Sequence, residues 1–321
     1  MLTRRTMFAV ASGLCASMAH LKRSNAAGPQ SKTAVAFEVP RGACDTHVHI
    51  IGDPVEFPMA PDRDYTPPSA TADELLEVQR SLKLDRVVIV TATIYGNDNA
   101  STLAAIRQIG RDRARGVALV DETASSAALD SLARAGITGF RLLIDEAELS
   151  KPGAAARRLR RATDLAKSRG WHLQISTPPD VTSALAAQLV SSPVPLVFDY
   201  FAWAAGGVDQ PGFDAVLSLV KTGRAYVKLS GPYRLSKDPP AYPDLAPVVH
   251  ALLAANPDRL LWGSGWPHVD SSDSSGRAKT DLAPNLPVDA GQLLNLFATW
   301  VPDAETRRKI LVDNPARLYG F

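Results

Sequence analysis

From Gly42 onward the chain repeats one pattern. A short apolar run rich in β-branched residues is followed by a polar break, then by a longer Ala/Leu/Arg segment with apolar positions three and four apart. The short runs suit strands buried on both faces, and the longer segments suit amphipathic helices. Strands are expected at 42–49, 86–91, 115–120, 137–143, 171–176, 195–199, 225–229 and 259–263. Helices are expected near 72–83, 100–111, 125–135, 153–169, 181–190, 211–222 and 244–254, with a closing helical region over 289–301 and 304–312 and a terminal turn from Asp313. Strict strand–helix alternation implies a parallel sheet. Eight strands close a (β/α)8 TIM barrel, an α/β fold with its chemistry at the strand C-termini. An open doubly wound sheet is the alternative, but no Gly-x-Gly-x-x-Gly follows an early strand.

Composition sets the boundaries. The 321 residues are 45% hydrophobic and 21% charged, enough chain for one large domain with a full core. A mean hydropathy of −0.05 argues against a membrane-embedded body. The first residues differ: Arg4 and Arg5, an apolar run from Met7 to Ala19, then Lys22, Arg23 and a small-residue end. The run is too short to span a bilayer. Residues 1–27 are expected to form a twin-arginine export signal, with the rest periplasmic; a disordered basic arm is the alternative. Residues 28–39 are then a linker and 40–321 the barrel. Four of the 35 basic residues and none of the 33 acidic ones fall in 1–27, so the remainder carries a net charge of −2. No basic patch remains for nucleic acid, and no membrane partner is expected once the signal is removed. Cys15 falls in the signal, which leaves Cys44 as a buried structural thiol rather than a nucleophile.

The strand ends carry the candidate chemistry. His47 and His49 close the first strand at i and i+2, a spacing that aims both rings at one point. The proline-rich loop 57–68 is expected to fold over the mouth and present Arg63 and Tyr65. Thr91 and Thr93 end the second strand, before an Asn97–Asp98–Asn99 cluster that suits a polar ligand or a helix cap equally well. Arg141 on strand four, with Lys228 on strand seven and Arg234 just after it, suits an anion. Structural ion pairs explain these cations as readily. Ser176 ends strand five. Asp199 and Tyr200 are neighbours on strand six, so alternation expects one of them to face away.

The motifs His-x-His, Arg-x-Tyr-Thr-Pro-Pro, Tyr-Gly-x-Asp-Asn, Lys-Leu-Ser-Gly-x-Tyr-Arg, Trp-Gly-Ser-x-Trp-Pro-His and Asn-Pro-Ala-Arg-Leu-Tyr-Gly-Phe occur in order. In these the chain resembles the amidohydrolase-related family, and within it the 2-pyrone-4,6-dicarboxylate lactonase-like group, over Pro40 to Phe321. The resemblance implies hydrolysis of a cyclic ester bearing carboxylates, without cofactor or metal. It implies that His47 and His49 polarise the carbonyl, and that Tyr65, Arg141 and Arg234 hold the anionic substrate. Two positions depart from the pattern: Tyr200 stands where a histidine is usual, and Gly265 where the water-activating aspartate is usual. A second arginine shortly after Arg141 is also absent. A hydrolase would then draw its base from His268, Asp270 or Asp98. The alternative is a non-catalytic binder of a cyclic or aromatic dicarboxylate. Decarboxylation, a third reading, needs a metal, and only His47 and His49 of the usual ligand set are present.

Overall fold

Eight parallel strands run side by side in sequence order in this computed structural model, which describes residues 31–321 except 145, 152 and 273–275. They are β1 (Cys44–Val48), β2 (Arg86–Val90), β3 (Ala114–Ala118), β4 (Ile137–Leu143), β5 (His172–Ser176), β6 (Leu196–Phe198), β7 (Ala225–Ser230) and β8 (Leu260–Gly263). Each falls within about two residues of its expected span. The ring closes between β8 and β1 through a seam that side chains share. Thr46 Oγ1 donates to the Trp262 carbonyl at 2.8 Å, Asp45 Oδ1 accepts from the Ser264 amide at 2.9 Å, and the Gly265 amide donates to the His47 carbonyl at 2.9 Å. This is the TIM barrel expected from the alternation.

The helices start where capping chemistry allows. Thr71 and Glu74 form a reciprocal capping box on the helix Ala72–Leu82, and Ser125 and Asp289 cap the helices Ser126–Ala135 and Ala290–Trp300. The segment expected as one helix at 181–190 is two short ones, Pro179–Ala184 and Ala186–Val190. The last segment runs from helix Ala304–Arg308 through a π turn, Lys309–Asp313, into the helix Asn314–Tyr319.

Cys44, Val88, Val117, Val197 and Leu261 pack with Tyr226 and Tyr319 in one buried cluster inside the barrel. The Arg86 and Arg115 guanidiniums lie 5.3 and 4.8 Å from the Phe321 ring, which completes the plug. The Cys44 thiol is buried there, and burial raises its pKa well above the ordinary value, as befits a structural thiol. In this fold the chemistry sits at the other, C-terminal mouth.

The described part of the expected linker is docked along the outer wall. The Lys32 and Thr33 amides donate to Asp289 Oδ2 at 2.8 and 3.0 Å, and the Ala36 amide donates to Asn295 Oδ1 at 2.7 Å. The proposed signal, residues 1–27, lies outside the described residues.

Candidate active site

The mouth is organised around Asp199, at the C-terminal end of β6 and fully buried. Arg141 Nε donates to Asp199 Oδ2 at 2.8 Å, and His47 Nδ1 lies 3.3 Å from Oδ1. Lys228 Nζ stands 3.9 Å from Oδ1 and donates to Gln174 Oε1 at 2.7 Å. Burial alone raises a carboxyl pKa, but Arg141, His47 and Lys228 outweigh it and hold Asp199 ionised, well below the usual carboxylate range. Lys228 sits under this group with no exposed surface, and burial lowers its pKa to about 8 against the pull of Asp199.

An ionised Asp199 only accepts, so His47 presents Nδ1–H to it. Nε2 of the neutral ring is then an acceptor, 3.1 Å from the Tyr200 hydroxyl, which donates to it. Burial, and then Lys228, push His47 down to about 3, although Asp199 opposes them. His47 packs against Gly263, where an added Cβ would stand 2.7 Å from the His47 Cβ; the site needs a residue without a side chain there.

Asp199 and Tyr200 both face the site, contrary to the alternation expected from the sequence. Tyr200, Phe201, Ala202 and Trp203 all have φ between 48 and 58°, so the chain makes a left-handed turn directly after β6. That turn swings the Tyr200 phenol back over the barrel, with ring centroids 4.8 Å from His47. It also aims Trp203 Nε1 at Ser176 Oγ, to which it donates at 3.2 Å. Arg141 Nη2 reaches the same Ser176 Oγ at 3.4 Å. The Arg141 and Arg234 guanidinium carbons lie 5.8 and 5.1 Å from the Tyr200 ring centroid.

His49 is bound differently. Its Nδ1 lies 2.8 Å from the Val90 carbonyl, which can only accept, so Nδ1 carries the proton. Burial, then His47 and Arg141, lower its pKa well below the usual histidine value. The neutral ring therefore keeps a lone pair on Nε2. His49 is part-exposed at the mouth, and Nε2 has no partner among the described residues.

The other expected residues fall as follows. Tyr65 lies near Thr93, Tyr200 and the two arginines of the mouth; burial raises its pKa against the pull of Arg234. Arg63 is spent on its own loop, donating to Thr66 Oγ1 at 2.7 Å and the Ala60 carbonyl at 3.1 Å. Arg234 Nη1 donates to Ser271 Oγ at 2.9 Å. His268 is fully buried, with Nε2 donating to the Ser264 carbonyl at 3.1 Å and its ring edge-on to Tyr233. Asp98 caps the Ala100 amide, and Asp270 binds Ser272 and Arg277. Asn99 is structural: its amide ties Asn97 and Leu119 together while Thr91 donates to its oxygen. Gly265 has φ 76°, and a Cβ there would stand 2.4 Å from the Tyr233 hydroxyl, which donates to the Gly265 carbonyl at 3.0 Å. A carboxylate does not simply slot into that position.

His47 Nε2 and His49 Nδ1 are engaged by the Tyr200 hydroxyl and the Val90 carbonyl, and no group of three His, Cys, Asp or Glu side chains that could hold a metal converges among the described residues.

An eight-stranded barrel with paired histidines at the end of β1 and a carboxylate at the end of β6 accords with a comparison against known families, in which residues 44–321 match amidohydrolase. The chain belongs to the amidohydrolase family. It is 34% identical over 297 residues to a 4-sulfomuconolactone hydrolase of Rhizobium radiobacter, covering 91% of this chain and 95% of that one. It is 33% identical over 299 residues to a 2-pyrone-4,6-dicarboxylate hydrolase of Comamonas testosteroni, covering 88% and 92%. Among solved structures it resembles a probable 2-pyrone-4,6-dicarboxylic acid hydrolase of Acinetobacter baumannii with citric acid bound, at a TM-score of 0.68 and 25% identity over 87% of this chain and 100% of that one. The family and its lactonase-like branch are those the motifs imply.

Sequence reading overlooked Trp203, Gln174 and Tyr233. Gln174 was legible, since it alternates with His172 and Ser176 on β5. Trp203 was not, because only the left-handed turn brings it to the mouth.

Proposed function

We propose that the protein hydrolyses a carboxylate-bearing lactone at this mouth. The observation that carries the reading is the open Nε2 of neutral His49 beside the Arg141–Arg234 pair. In place of carbonyl polarisation by both imidazoles, we assign His49 as the base. Water attacks the lactone carbonyl carbon and gives a proton to His49 Nε2. The carbonyl π pair moves onto oxygen, facing the guanidiniums. Collapse of the tetrahedral centre breaks the ring C–O bond, and the alkoxide takes the proton back from His49. The product is the ring-opened hydroxy acid, or its keto form if the ring was an enol ester. The relatives named for sulfomuconolactone and pyrone dicarboxylate hydrolysis, and the neighbour holding citric acid, support an anionic small molecule as substrate. No step here runs through a metal.

The test is a panel of carboxylate lactones assayed with the native protein and His49→Gln. Loss of a general base lowers the rate by about 10²- to 10⁴-fold. Turnover that His49→Gln leaves untouched would remove His49 from the chemistry. No turnover of any lactone above that variant would remove the hydrolase reading.

Gly265 favours a second reading, a binder that holds a cyclic or aromatic dicarboxylate without converting it. It expects ligand-dependent thermal stabilisation with the ligand recovered intact. We also propose that residues 1–27 export the protein to the periplasm. Full-length protein retained in the cytoplasm, where a twin-lysine substitution of Arg4 and Arg5 makes no difference, would count against it.

A further inference from the structure

Beside the arginine pair lies a space of a different kind. A cavity of about 480 Å³ sits at the mouth among the chain ends of β4 and β5 and the left-handed turn after β6. Leu143, Ile144, Pro178, Pro179 and Trp203 form its apolar walls, and Ser176 and Gln210 are its polar members. No charged side chain lines it among the described residues. Its size is within the range of small-molecule sites, roughly 300–1,000 Å³.

Ser176 is the boundary between this cavity and the cationic half of the mouth. Its hydroxyl accepts from Arg141 Nη2 at 3.4 Å on one side and from Trp203 Nε1 at 3.2 Å on the other, while the residue itself lines the cavity. A ligand with one carboxylate on the arginines therefore projects its opposite substituent past Ser176, against Leu143, Ile144 and Trp203. A second carboxylate or a sulfonate placed there is stripped of water without a facing cation, which is costly. An apolar ring placed there needs no counter-charge and gains an aromatic neighbour.

Resting on the lactone-hydrolase reading, we propose that the substrate is a monocarboxylate lactone bearing an aryl or branched alkyl arm, with the arm in this cavity. Substrate choice then differs from that of a doubly acidic lactone in the group opposite the anchored carboxylate. Leu143 and Ile144 act here as specificity residues: they touch the arm, not the scissile bond.

Three compounds test this on one ring: 2-pyrone-6-carboxylate, its 4-phenyl derivative and 2-pyrone-4,6-dicarboxylate. The expected order of kcat/KM puts the 4-phenyl compound first, by about tenfold or more over the unsubstituted ring, since even one methylene in an apolar pocket is worth about 10- to 200-fold. Leu143→Trp fills the cavity, and the phenyl-to-hydrogen ratio falls towards one; Leu143→Phe gives a smaller fall in the same direction if the larger residue impairs folding. Ile144→Arg shifts the preference towards the dicarboxylate. A dicarboxylate turned over faster than the phenyl compound, with a ratio that Leu143→Phe and Leu143→Trp do not move, overturns the proposal and leaves the hydrolase reading standing. If none of the three is turned over, the wider lactone panel decides the hydrolase reading, and thermal shift with the same compounds decides the cavity's role. Stabilisation greatest with the phenyl compound and lost in Leu143→Trp supports it. Equal stabilisation by all three overturns it.

Discussion

The Tyr200 hydroxyl donates to His47 Nε2 at 3.1 Å, and His47 is in turn fixed by Asp199 at 3.3 Å. Carboxylate, imidazole and phenol thus form a line at the mouth of the barrel. The bond has a direct consequence for Tyr200→Phe. It strips the buried His47 ring of its partner on that edge, at a cost of about 1–3 kcal/mol. Chemical denaturation is expected to show that loss. If the phenol also relays protons, kcat on the preferred lactone falls by more than the stability change explains, while KM moves little.

Asp199→Asn is expected to be more severe. It leaves the Arg141 guanidinium buried without its counter-charge and leaves one acceptor oxygen where Arg141 and His47 now have one each. Breaking one side of a buried pair costs about 3–5 kcal/mol. Arg141→Met combined with Asp199→Asn is expected to cost less than the sum of the two, because the stranded charge is gone. A urea titration of the three variants reads this; strict additivity would show that the pair is not coupled.

Restoring a carboxylate at 265 needs two changes. Gly265→Asp alone meets a left-handed backbone and the Tyr233 hydroxyl, 2.4 Å from the new Cβ. The backbone conformation alone costs about 1–2 kcal/mol. The single variant is expected to melt lower and gain no rate. Adding Tyr233→Phe removes the clash, and any rate gain is expected only in the double variant.

Acid is expected to unfold the protein early. His47 and His172 are pushed down to about 3 and His268 to about 4, in each case chiefly by burial, from an ordinary 6.5. A depressed folded value gives stability that is present above 6.5 and lost as pH falls towards the folded value. Asp45 works in the opposite sense: burial raises it to about 6 from 3.8, so its contribution falls as pH rises between those values. Three histidines outweigh one carboxyl. Each group contributes a slope of up to about 1.4 kcal/mol per pH unit. Melting temperature should therefore drop between pH 6.5 and 4, and His172→Gln should flatten the drop by about one group's share. A flat profile in the native protein would mean that these rings are not held neutral.

Most of the fold was legible because a buried parallel strand is a short, continuous β-branched run. Val87 to Val90 and Leu196 to Phe198 announce themselves that way, and Arg141 stands out as a charge inside one. The site was legible at His47, His49 and Arg141, where strand alternation holds. It failed at Asp199 and Tyr200, because alternation says nothing about a turn of four non-glycine residues at positive φ. It also left open whether Lys228 meets ligand; only the position of Gln174 and Asp199 shows it serving them from below. Gly265 read as a lost carboxylate, whereas the Tyr233 hydroxyl now occupies the direction in which any side chain would grow.

The left-handed turn after β6 has a consequence for how this protein can change. Tyr200, at its start, holds the His47 ring, and Trp203, at its end, forms a wall of the apolar cavity. One turn therefore fixes both the phenol that holds His47 and a wall of the cavity. On the proposed function, a change within that segment is expected to alter rate and scope together, whereas a change at Leu143 or Ile144, on the far wall, is expected to alter scope alone.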